Sequence, residues 1–273
     1  MELKDKVAVI TGGASGIGRA TCLLLAQEKV KAIAVVDMDE HTEAACEKLN
    51  EEAGRSVVVA FRGDAVDGDF RERVFGSMEE RHGPVSLCVP AAGITRDRLC
   101  VKVSQNNGTI VPDIYREEDF RRVIDVDLIA PIYWALRTVA SVGLDRVRRG
   151  LGPWTPDESV QGAIVMIGSV SSVGNRGQIS YATAKAGLEG AQSTLAKEAI
   201  YYGVRCAIIH PGFTDTPMVR NMGEDMIRDH ILPNTQLRRL IRPNEIASAI
   251  VFMLKNSAVS GSLWADAGWH PKA

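Results

Sequence analysis

The sequence predicts an α/β fold built around one parallel sheet. Short apolar runs rich in Val and Ile alternate with longer segments whose apolar residues recur at helical spacing. Strands that are separated by helices pair in parallel through right-handed crossovers, so helices cover both faces of the sheet. A chain of 273 residues, of which 45% are hydrophobic, can bury the core of one large domain of this kind. We therefore expect residues 1–273 to form a single domain around a doubly wound sheet of about seven parallel strands.

The predicted elements follow one another in the order that such a sheet requires. The predicted strands cover residues 7–10, 32–36, 57–61, 85–89, 162–168, 204–209 and 262–265. The predicted helices follow Gly18 and cover about residues 40–53, 70–81, 117–144, 178–202 and 243–255. Pro131 interrupts the longest helix and has no N–H, which leaves the main-chain oxygen of Asp127 without its usual partner.

Charge and composition narrow the class of function. A net charge of −2 and a pI near 6.2 do not predict binding to nucleic acid or to an anionic membrane. No apolar run approaches the roughly 18 residues of a membrane span. The first residues lack the layout of a signal peptide, so we expect a cytoplasmic protein. The five cysteines are scattered without Cys-x-x-C spacing, which predicts neither disulfides nor a metal site.

A glycine-rich loop joins the first strand to the first helix. It runs Thr11-Gly12-Gly13-Ala14-Ser15-Gly16-Ile17-Gly18. Where glycines replace side chains the backbone approaches a diphosphate closely, and the next helix offers unpaired N–H groups and the positive end of its dipole. The alternative is a plain tight turn. We predict a dinucleotide-binding loop of the Rossmann type, with five candidate residues: Gly12, Ser15, Gly16, Ile17 and Gly18.

Three later strand ends supply further candidates for this site. Asp37 ends the second strand, 19 residues after Gly18, where a carboxylate accepts both hydroxyls of an adenosine ribose and repels a 2′-phosphate. No Arg or Lys follows Asp37, so we predict NAD as the cofactor and not NADP. Asp64-Ala65 and Ala92-Gly93 fall at the same edge of the sheet. Asp64 either meets the adenine amino group or is a solvated turn residue.

Tyr181 and Lys185 form the candidate reaction centre. Four positions apart on a predicted helix, they place a phenol and an ammonium on one face, with about 5–6 Å between their Cβ atoms. The ammonium favours phenolate, so we expect it to lower the pKa of Tyr181 from about 10 toward the range of a working general acid/base. Ser169, at the end of the preceding strand, is in position to hold a carbonyl or hydroxyl oxygen beside that phenol. The alternative for Tyr181 is an ordinary tyrosine on a surface helix.

Three segments, at about 94–118, 141–160 and 213–235, are predicted substrate loops. The first is long and polar, and Asn106-Asn107-Gly108 predicts a turn in it, so it forms either a substrate wall or a plain hairpin. The third carries a lid-like helical stretch. The second contains three arginines that either contact an acidic carrier protein or are merely solvated: Arg146, Arg148 and Arg149.

These motifs occur in a fixed order along the chain. The order is Thr11-Gly12-x-x-x-Gly16-x-Gly18, Asp64, Ala92-Gly93, Ser169, Tyr181-x-x-x-Lys185 and Pro211-Gly212-x-x-x-Thr216. Over nearly the whole chain they resemble the short-chain dehydrogenase/reductase family, and in particular its 3-oxoacyl-carrier-protein reductase-like branch. By that resemblance Tyr181 is the acid/base, Lys185 lowers its pKa and binds the nicotinamide ribose, and Ser169 positions the substrate oxygen. The resemblance also implies that Thr216 holds the carboxamide, and it extends the predicted cofactor site to Pro211, Gly212 and Thr214.

Two polar positions depart from the family pattern. Pro90-Ala91 stands where the family usually has two asparagines, so a polar tie that braces the central sheet is missing. Asp127 falls at the position of the family's catalytic Asn, which supports a water relay to the lysine partly through its main-chain carbonyl. Because Pro131 frees that same carbonyl, we predict that the relay survives.

The spacing of the catalytic serine also departs from the pattern. Ser169 lies 12 residues before Tyr181, one fewer than is usual in this branch. Ser171 or Ser172 is therefore an alternative for its role. The predicted catalytic set is Ser169, Tyr181, Lys185 and Asp127.

The resulting prediction is an NAD(H)-dependent oxidoreductase that transfers a hydride between nicotinamide and a small secondary alcohol or ketone. One alternative is a reductase of 3-oxoacyl thioesters on carrier protein or CoA, and another is a non-catalytic dinucleotide-binding protein. A serine hydrolase is not indicated, because neither Ser169 nor Ser171 lies in a Gly-x-Ser-x-Gly frame. By resemblance to the family we also expect a homo-oligomer, either a tetramer or a dimer.

Overall fold

Seven parallel strands form the central sheet of the protein in a computed structural model that describes residues 1–106 and 109–269. The described residues contain nine strands, of which β5 and β6 form a separate hairpin. In chain order, the strands are β1 (Val7–Thr11), β2 (Ala32–Asp37), β3 (Val58–Arg62), β4 (Val85–Pro90), β5 (Val101–Asn106), β6 (Thr109–Ile114), β7 (Gly162–Ile167), β8 (Val204–Pro211) and β9 (Gly261–Ala265). The sheet order is β3-β2-β1-β4-β7-β8-β9, and every pairing in it is parallel. The predicted doubly wound sheet is confirmed.

The helices connect successive strands and cover both faces of this sheet. They are α1 (Gly16–Gln27), α2 (Thr42–Ala53), α3 (Gly68–His82), α4 (Glu117–Ile124), α5 (Ala130–Arg148), α6 (Ile179–Glu198), α7 (Pro217–Arg220), α8 (Glu224–Met226) and α9 (Pro243–Lys255). Strand β1 shows why two layers form, because Ala8 and Ile10 face a core with α1, α2 and α9, whereas Val7 and Val9 face a core with α3, α5 and α6. In the part of the chain that the structure describes, no helix is long and apolar enough to span a membrane.

The strand order reverses at the centre of the sheet. From β1 the chain builds outward through β2 and β3, and then returns to place β4 on the other side of β1. In open parallel sheets a crevice forms outside the carboxyl ends of the strands at such a reversal, and ligands bind there. The fold therefore places a candidate ligand site at the carboxyl ends of β1 and β4.

The predicted helix over residues 117–144 is present but contains a π-turn. Helix α4 passes into the π-turn Asp125–Ile129, and α5 then continues to Arg148. Pro131 explains the irregularity, since it cannot donate to the carbonyl of Asp127 and the regular ladder fails just before it. The consequence is that Asp127 lies at an irregular step of the helix, facing the buried interior of the protein.

Residues 94–118 contain the antiparallel hairpin formed by β5 and β6. Residues 107 and 108 of the predicted Asn106-Asn107-Gly108 turn lie outside the described residues. The segment before the hairpin, with Thr95 and Asp97, lines a cleft at the carboxyl edge of the sheet. Both sequence-based alternatives for this segment, a cleft wall and a hairpin, therefore apply to different parts of it.

Residues 141–160 lie at the opposite edge of the sheet. The connection from the end of α5 to the start of β7 lies at the amino-terminal edge of the sheet. In this connection, the main-chain N–H of Trp154 donates to the main-chain oxygen of Tyr201 at 2.9 Å. None of the described residues that line the two clefts at the carboxyl edge belongs to this segment. The expectation of a substrate loop here is corrected, because the crossover places these residues away from the crevice.

Arg146 is also not a solvated loop residue. It is only 1% exposed and donates to both carboxylate oxygens of Glu158, at 2.7 and 3.0 Å, and to the main-chain oxygen of Gly152. These bonds fold the segment after α5 back onto the helix. Arg146 therefore organises the amino-terminal edge and is not presented to a partner.

Candidate active site

Two clefts open side by side where the central strands end. The larger has an empty volume of about 1200 Å³ and begins at the loop after β1. The smaller, of about 650 Å³, lies against the loops that follow β7 and β8. Their common wall is formed by Ile17, Ile167, Tyr181, Thr216 and Met218. Ligands in the two clefts would therefore meet at Tyr181.

Most of the predicted cofactor-binding residues line the larger cleft. These are Gly12, Ser15, Gly16, Ile17, Gly18, Asp37, Asp64, Ala65, Ala92, Gly93, Tyr181, Lys185 and Thr216. Three others line the smaller cleft instead: Pro211, Gly212 and Thr214. The structure thus brings the whole predicted set to one edge of the sheet and divides it between the two clefts.

The loop after β1 is shaped so that only glycine fits at its tightest points. Gly12 has a φ of +64°, and a Cβ there would lie 2.7 Å from the main-chain nitrogen of Ala92. A Cβ on Gly18 would overlap the main-chain oxygen of Gly12. The loop is therefore packed against itself and against the end of β4, and its bare backbone at the start of α1 forms the cradle that a diphosphate requires.

Thr11 ties β1 to β4 beside this loop. The main-chain nitrogen of Ala92 donates to its hydroxyl at 3.1 Å, and that of Ala91 donates to its main-chain oxygen at 3.0 Å. The side chains of Pro90-Ala91 contribute no polar contact of the kind that asparagines would make. The sheet is nonetheless braced at this point, because Thr11 supplies the acceptors from the neighbouring strand.

Asp37 and Asp64 are each held in place at the rim of the larger cleft. The main-chain N–H of Ala14 donates to Asp37 Oδ2 at 3.1 Å. Asp64 accepts from the N–H of Val66 and from Arg122, both at 3.0 Å. Burial tends to raise the pKa of Asp64, but these two donors outweigh it and the net shift is downward. Asp64 is therefore an organised, charged group, and its contact with the adenine amino group stays a prediction.

Tyr181, Lys185 and Ser169 converge from two elements. Lys185 Nζ lies 5.4 Å from the centroid of the Tyr181 ring, one helical turn away on α6, and donates to the main-chain oxygen of Ile167 at 3.1 Å. Ser169 begins the turn after β7 and lines the smaller cleft together with Tyr181. The strand end thus fixes the ammonium, and the ammonium lies against the phenol.

Asp127 contacts this group through Lys185. Its Oδ2 lies 3.3 Å from Lys185 Nζ, and its Oδ1 accepts from the N–H of Ile94 at 2.9 Å. The side chain is completely buried, and it is not among the residues that line either cleft. Asp127 therefore reaches the reaction centre only through Lys185.

The pKa of Tyr181 is shifted in the direction opposite to the one predicted. Burial raises it above the ordinary value of 10.0, because the phenolate loses solvation. Lys185 and the Ser169 hydroxyl act to lower it, and the Asp127 carboxylate raises it again. Lys185 thus acts as expected, but the expected net lowering is wrong for the free protein. Burial also tends to lower the pKa of Lys185, yet Asp127 and Tyr181 reverse that shift.

Most of the chain matches one known protein family. The family model described as short chain dehydrogenase matches residues 6–227. The chain belongs to this family. It is 32% identical over 266 residues to a 3-oxoacyl-(acyl-carrier-protein) reductase of Thermotoga maritima, with 96% of each chain covered. It is 30% identical over 261 residues to a (3R)-3-hydroxyacyl-CoA dehydrogenase of Mus musculus, covering 93% of this chain and 90% of the relative.

Solved structures agree with this assignment. The crystal structure of gox2181 is similar with a TM-score of 0.79 and 25% identity, covering 98% of this chain and 96% of the other. The predicted membership of the short-chain dehydrogenase family, in its 3-oxoacyl reductase-like branch, is confirmed.

The three candidate serines of this family member have different surroundings. The Ser171 hydroxyl donates to Gln178 Oε1 at 2.7 Å, and that of Ser172 lies 3.3 Å from His210 Nδ1. Ser169 accepts from the N–H of Ser171 and lies close enough to Tyr181 to affect its pKa. The geometry favours Ser169 for the role beside the phenol, and its assignment stays a prediction.

The hydrogen bonds among three polar side chains that line the smaller cleft were not predicted from the sequence. Gln178 Nε2 donates to Asp97 Oδ2 at 2.8 Å, while its oxygen accepts from Ser171. Gln178 lies three residues before Tyr181, at the start of the same helix, and that spacing was the available signal. These hydrogen bonds place one acidic side chain, that of Asp97, in the lining of the smaller cleft.

Arg122 and His210 were also not predicted. Arg122 lines the larger cleft together with Val126, and their i, i+4 spacing was a usable signal. His210 is fully buried, stacks on Trp264 with ring centroids 4.2 Å apart, and stands directly before Pro211. A histidine at the end of a buried strand gave no sign of this environment.

Proposed function

We propose that the protein is an NAD(H)-dependent oxidoreductase that interconverts a secondary alcohol and a ketone. The observation that supports this proposal is the position of Tyr181 in the wall common to two clefts, with Lys185 and Ser169 beside it. One cleft has the bare-backbone loop that a dinucleotide needs, and the other is a mostly apolar cleft that opens beside it. A tyrosine between them is in position to exchange a proton with a substrate oxygen.

The larger cleft fits a nicotinamide dinucleotide. Gly12 and Gly18 leave the backbone open to a diphosphate, and Asp37, oriented by the N–H of Ala14, offers a carboxylate to ribose hydroxyls. The charge on Asp37 favours NAD over NADP, because it would oppose a 2′-phosphate. Arg122 lines the same cleft but is paired with Asp64, so it does not offset that charge.

The residues of the chain divide the chemistry among them. When bound, the nicotinamide dinucleotide supplies the acceptor or donor of the hydride. Tyr181 Oη takes the hydroxyl proton in oxidation and gives a proton to the carbonyl oxygen in reduction. Ser169 holds that oxygen, and Lys185, fixed by Ile167 and Asp127, supplies the positive charge behind the phenol. Ile17, Met218 and Ile167 form apolar walls that limit water at the junction.

A 3-oxoacyl thioester is the second candidate substrate. The relatives named for such thioesters, at about 30% identity, favour it, and the smaller cleft has an apolar wall formed by Phe213, Met218, Val219 and Met222. Contact with an acidic carrier protein through Arg146 has no support, since that side chain is buried at the opposite edge of the sheet. A 3-oxoacyl-CoA assayed beside simple ketones distinguishes the two substrate classes.

Assembly and compartment complete the proposal. We infer a homo-oligomer, supported by the exposed apolar side chains of Ile129, Tyr133 and Leu136 along the π-turn and α5. The cysteines are free, four buried and Cys100 exposed. Free thiols fit a reducing compartment such as the cytoplasm.

The decisive experiment compares the wild type with Tyr181→Phe. A panel of secondary alcohols at alkaline pH and of ketones at neutral pH is scanned for changes in NADH absorbance, and NADH binding is measured separately. We expect the variant to bind NADH normally and to lose turnover by at least about 10²-fold, as general acid/base catalysis typically supplies. Full activity in Tyr181→Phe would remove the phenol from the mechanism. NADH binding without turnover of any substrate by the wild type would favour the non-catalytic alternative.

A further inference from the structure

A buried carboxylate lies directly behind the reaction centre. Asp127 is fully buried and Lys185 is 3% exposed, and Oδ2 of the first lies 3.3 Å from Nζ of the second. Oδ1 is satisfied by the N–H of Ile94. Within the described residues, Oδ2 has no hydrogen-bond donor in good geometry. Burial raises the pKa of Asp127, whereas Lys185 and the N–H of Ile94 act to lower it, so the negative charge of this carboxylate depends mainly on its pairing with Lys185.

The surroundings keep the carboxylate in this position. A Cβ on Gly93 would lie 2.9 Å from Asp127 Oδ2, so the glycine leaves room for it. The π-turn before Pro131 carries Asp127 on the buried side of its helix. Since Asp127 lines neither cleft, it is a positioning residue that acts on the reaction through Lys185.

We propose that the Asp127 carboxylate, by pairing with Lys185, keeps the Tyr181 phenol protonated and so sets the free enzyme to deliver a proton to a carbonyl oxygen. The inference rests on the proposed function and adds its working state, which is that of a ketone reductase at neutral pH. With the dinucleotide bound as hydride donor, Tyr181 would give its proton to the substrate oxygen, and solvent would then return a proton to the phenolate.

The physical reason is competition for one ammonium. A cation that faces a single phenolate stabilises it fully, whereas a cation that already faces a carboxylate has less net field to offer. The ionisable groups that act on Tyr181 are Lys185 on its own helix, Asp127 on the π-turn and Asp97 at the cleft mouth. Both carboxylates oppose the phenolate, and that of Asp127 has the larger effect.

A neutral side chain at position 127 would act differently. Asn has nearly the same shape and can still accept from the N–H of Ile94, but it carries no charge. Lys185 would then face the phenol alone, and the phenolate would form at lower pH. The equilibrium between alcohol and ketone cannot change. What changes is the protonation state of Tyr181 in the free enzyme.

The test is a titration of Tyr181 in the protein without added cofactor. Tyrosinate absorbance is followed against pH in the wild type and in Tyr181→Phe, and the difference isolates the one phenol. The measurement is repeated with Asp127→Asn and with the double variant. We expect the wild-type pKa of Tyr181 to lie above the ordinary 10.0. Asp127→Asn should lower it by about one unit or more. The acid limb of alcohol oxidation should move to lower pH by a similar amount.

Asp125→Asn is the matched control. It makes the same isosteric change two residues earlier on the same π-turn, and it should leave both the titration and the pH profile in place. An unchanged pKa in Asp127→Asn would overturn the proposal. A raised pKa would overturn it in favour of a carboxylate that merely keeps Lys185 charged.

Two readouts protect the test. If Asp127→Asn does not fold, Asp127→Ser removes the same charge and is titrated in its place. The titration needs neither substrate nor turnover. Failure of the proposed function, seen as full activity in Tyr181→Phe, is therefore distinguishable from failure of the inference about Asp127.

Discussion

The two edges of the central sheet each hold a buried cation, and the two cations are used differently. Arg205 stands at the amino-terminal edge, near the start of β8, and is 8% exposed. Its terminal nitrogens donate to the main-chain oxygens of Met253, Leu254 and Val259 at 2.6 to 3.2 Å. These oxygens lie at and just beyond the end of α9, where helical carbonyls lack partners. Arg205 therefore caps the carbonyl groups at the end of α9 and stabilises that helix end.

Lys185, at the carboxyl-terminal edge, makes fewer hydrogen bonds than Arg205. It makes one hydrogen bond, to the oxygen of Ile167, and faces Asp127 at 3.3 Å without a well-aligned bond. The same ammonium lies 5.4 Å from the centroid of the Tyr181 ring. A compact ammonium suits this use because its field acts on groups that it does not bond, whereas the planar guanidinium of Arg205 matches fixed acceptors.

Under the proposed function, the two edges separate stability from reactivity within one fold. At the amino edge, main-chain acceptors cover the two terminal nitrogens of Arg205, while its Nε has no partner among the described residues. At the carboxyl edge, carboxylate, ammonium and phenol shift one another's pKa values in addition to the effect of burial, whereas burial alone lowers the pKa of Arg205. Perturbed groups of this kind are typical of functional sites. The comparison predicts that variants at the two edges fail in different assays.

The largest expected effect is on turnover, from Lys185→Met. Removing the ammonium leaves the Tyr181 phenol without its cation, so kcat/KM should fall by about 10² to 10⁴. Steady-state kinetics, run after circular dichroism has verified the fold, measure it. Lys197→Met, an exposed lysine on the same helix, is the control and should stay within a factor of about two. Comparable losses in both variants would remove the special role of the carboxyl edge.

The next effect is on stability, from Arg205→Met. The apolar side chain fills similar space but leaves three main-chain oxygens without donors, which should cost about 2 to 4 kcal/mol of unfolding free energy. Urea denaturation measures it. Lys255→Met provides the comparison, since its exposed pair with Glu28 should contribute less than about 1 kcal/mol. At temperatures where Arg205→Met is folded, its kcat/KM should match that of the wild type. A selective loss of turnover would break the separation between the edges.

The same contrast explains what could be predicted from the sequence. The seven strands and the glycine loop carry their own signals, because apolar runs and glycines between a strand and a helix determine local structure. Tyr181 and Lys185 lie four apart on one helix, so their contact follows from helical geometry. Predictions made within one element therefore agree with the structure.

Predictions that depended on contacts across elements did less well. The sign of the pKa shift of Tyr181 depends on burial and on Asp127, which spacing along the chain does not report. Arg146 looked like a loop residue because its partners, Glu158 and the oxygen of Gly152, lie beyond the end of its helix. The edge at which residues 141–160 lie follows from the direction of the crossover, which the Gly- and Pro-rich composition of the segment concealed.

The smallest expected effect sharpens the comparison within the carboxyl edge, at Asp37. This carboxylate is half-buried and faces an open cleft, unlike Asp127, so it should select a ligand and leave the tyrosine unaffected. Asp37→Asn keeps an acceptor for the N–H of Ala14 and removes only the charge. The ratio of kcat/KM for NADP to that for NAD should then rise about tenfold, which corresponds to about 1.4 kcal/mol of relieved repulsion. Asp39→Asn, an exposed carboxylate two residues along, should leave the ratio unchanged. If Asp37→Asn shows the same ratio as the wild type, the charge at the end of β2 does not choose the cofactor, and the preference must come from groups elsewhere in the larger cleft.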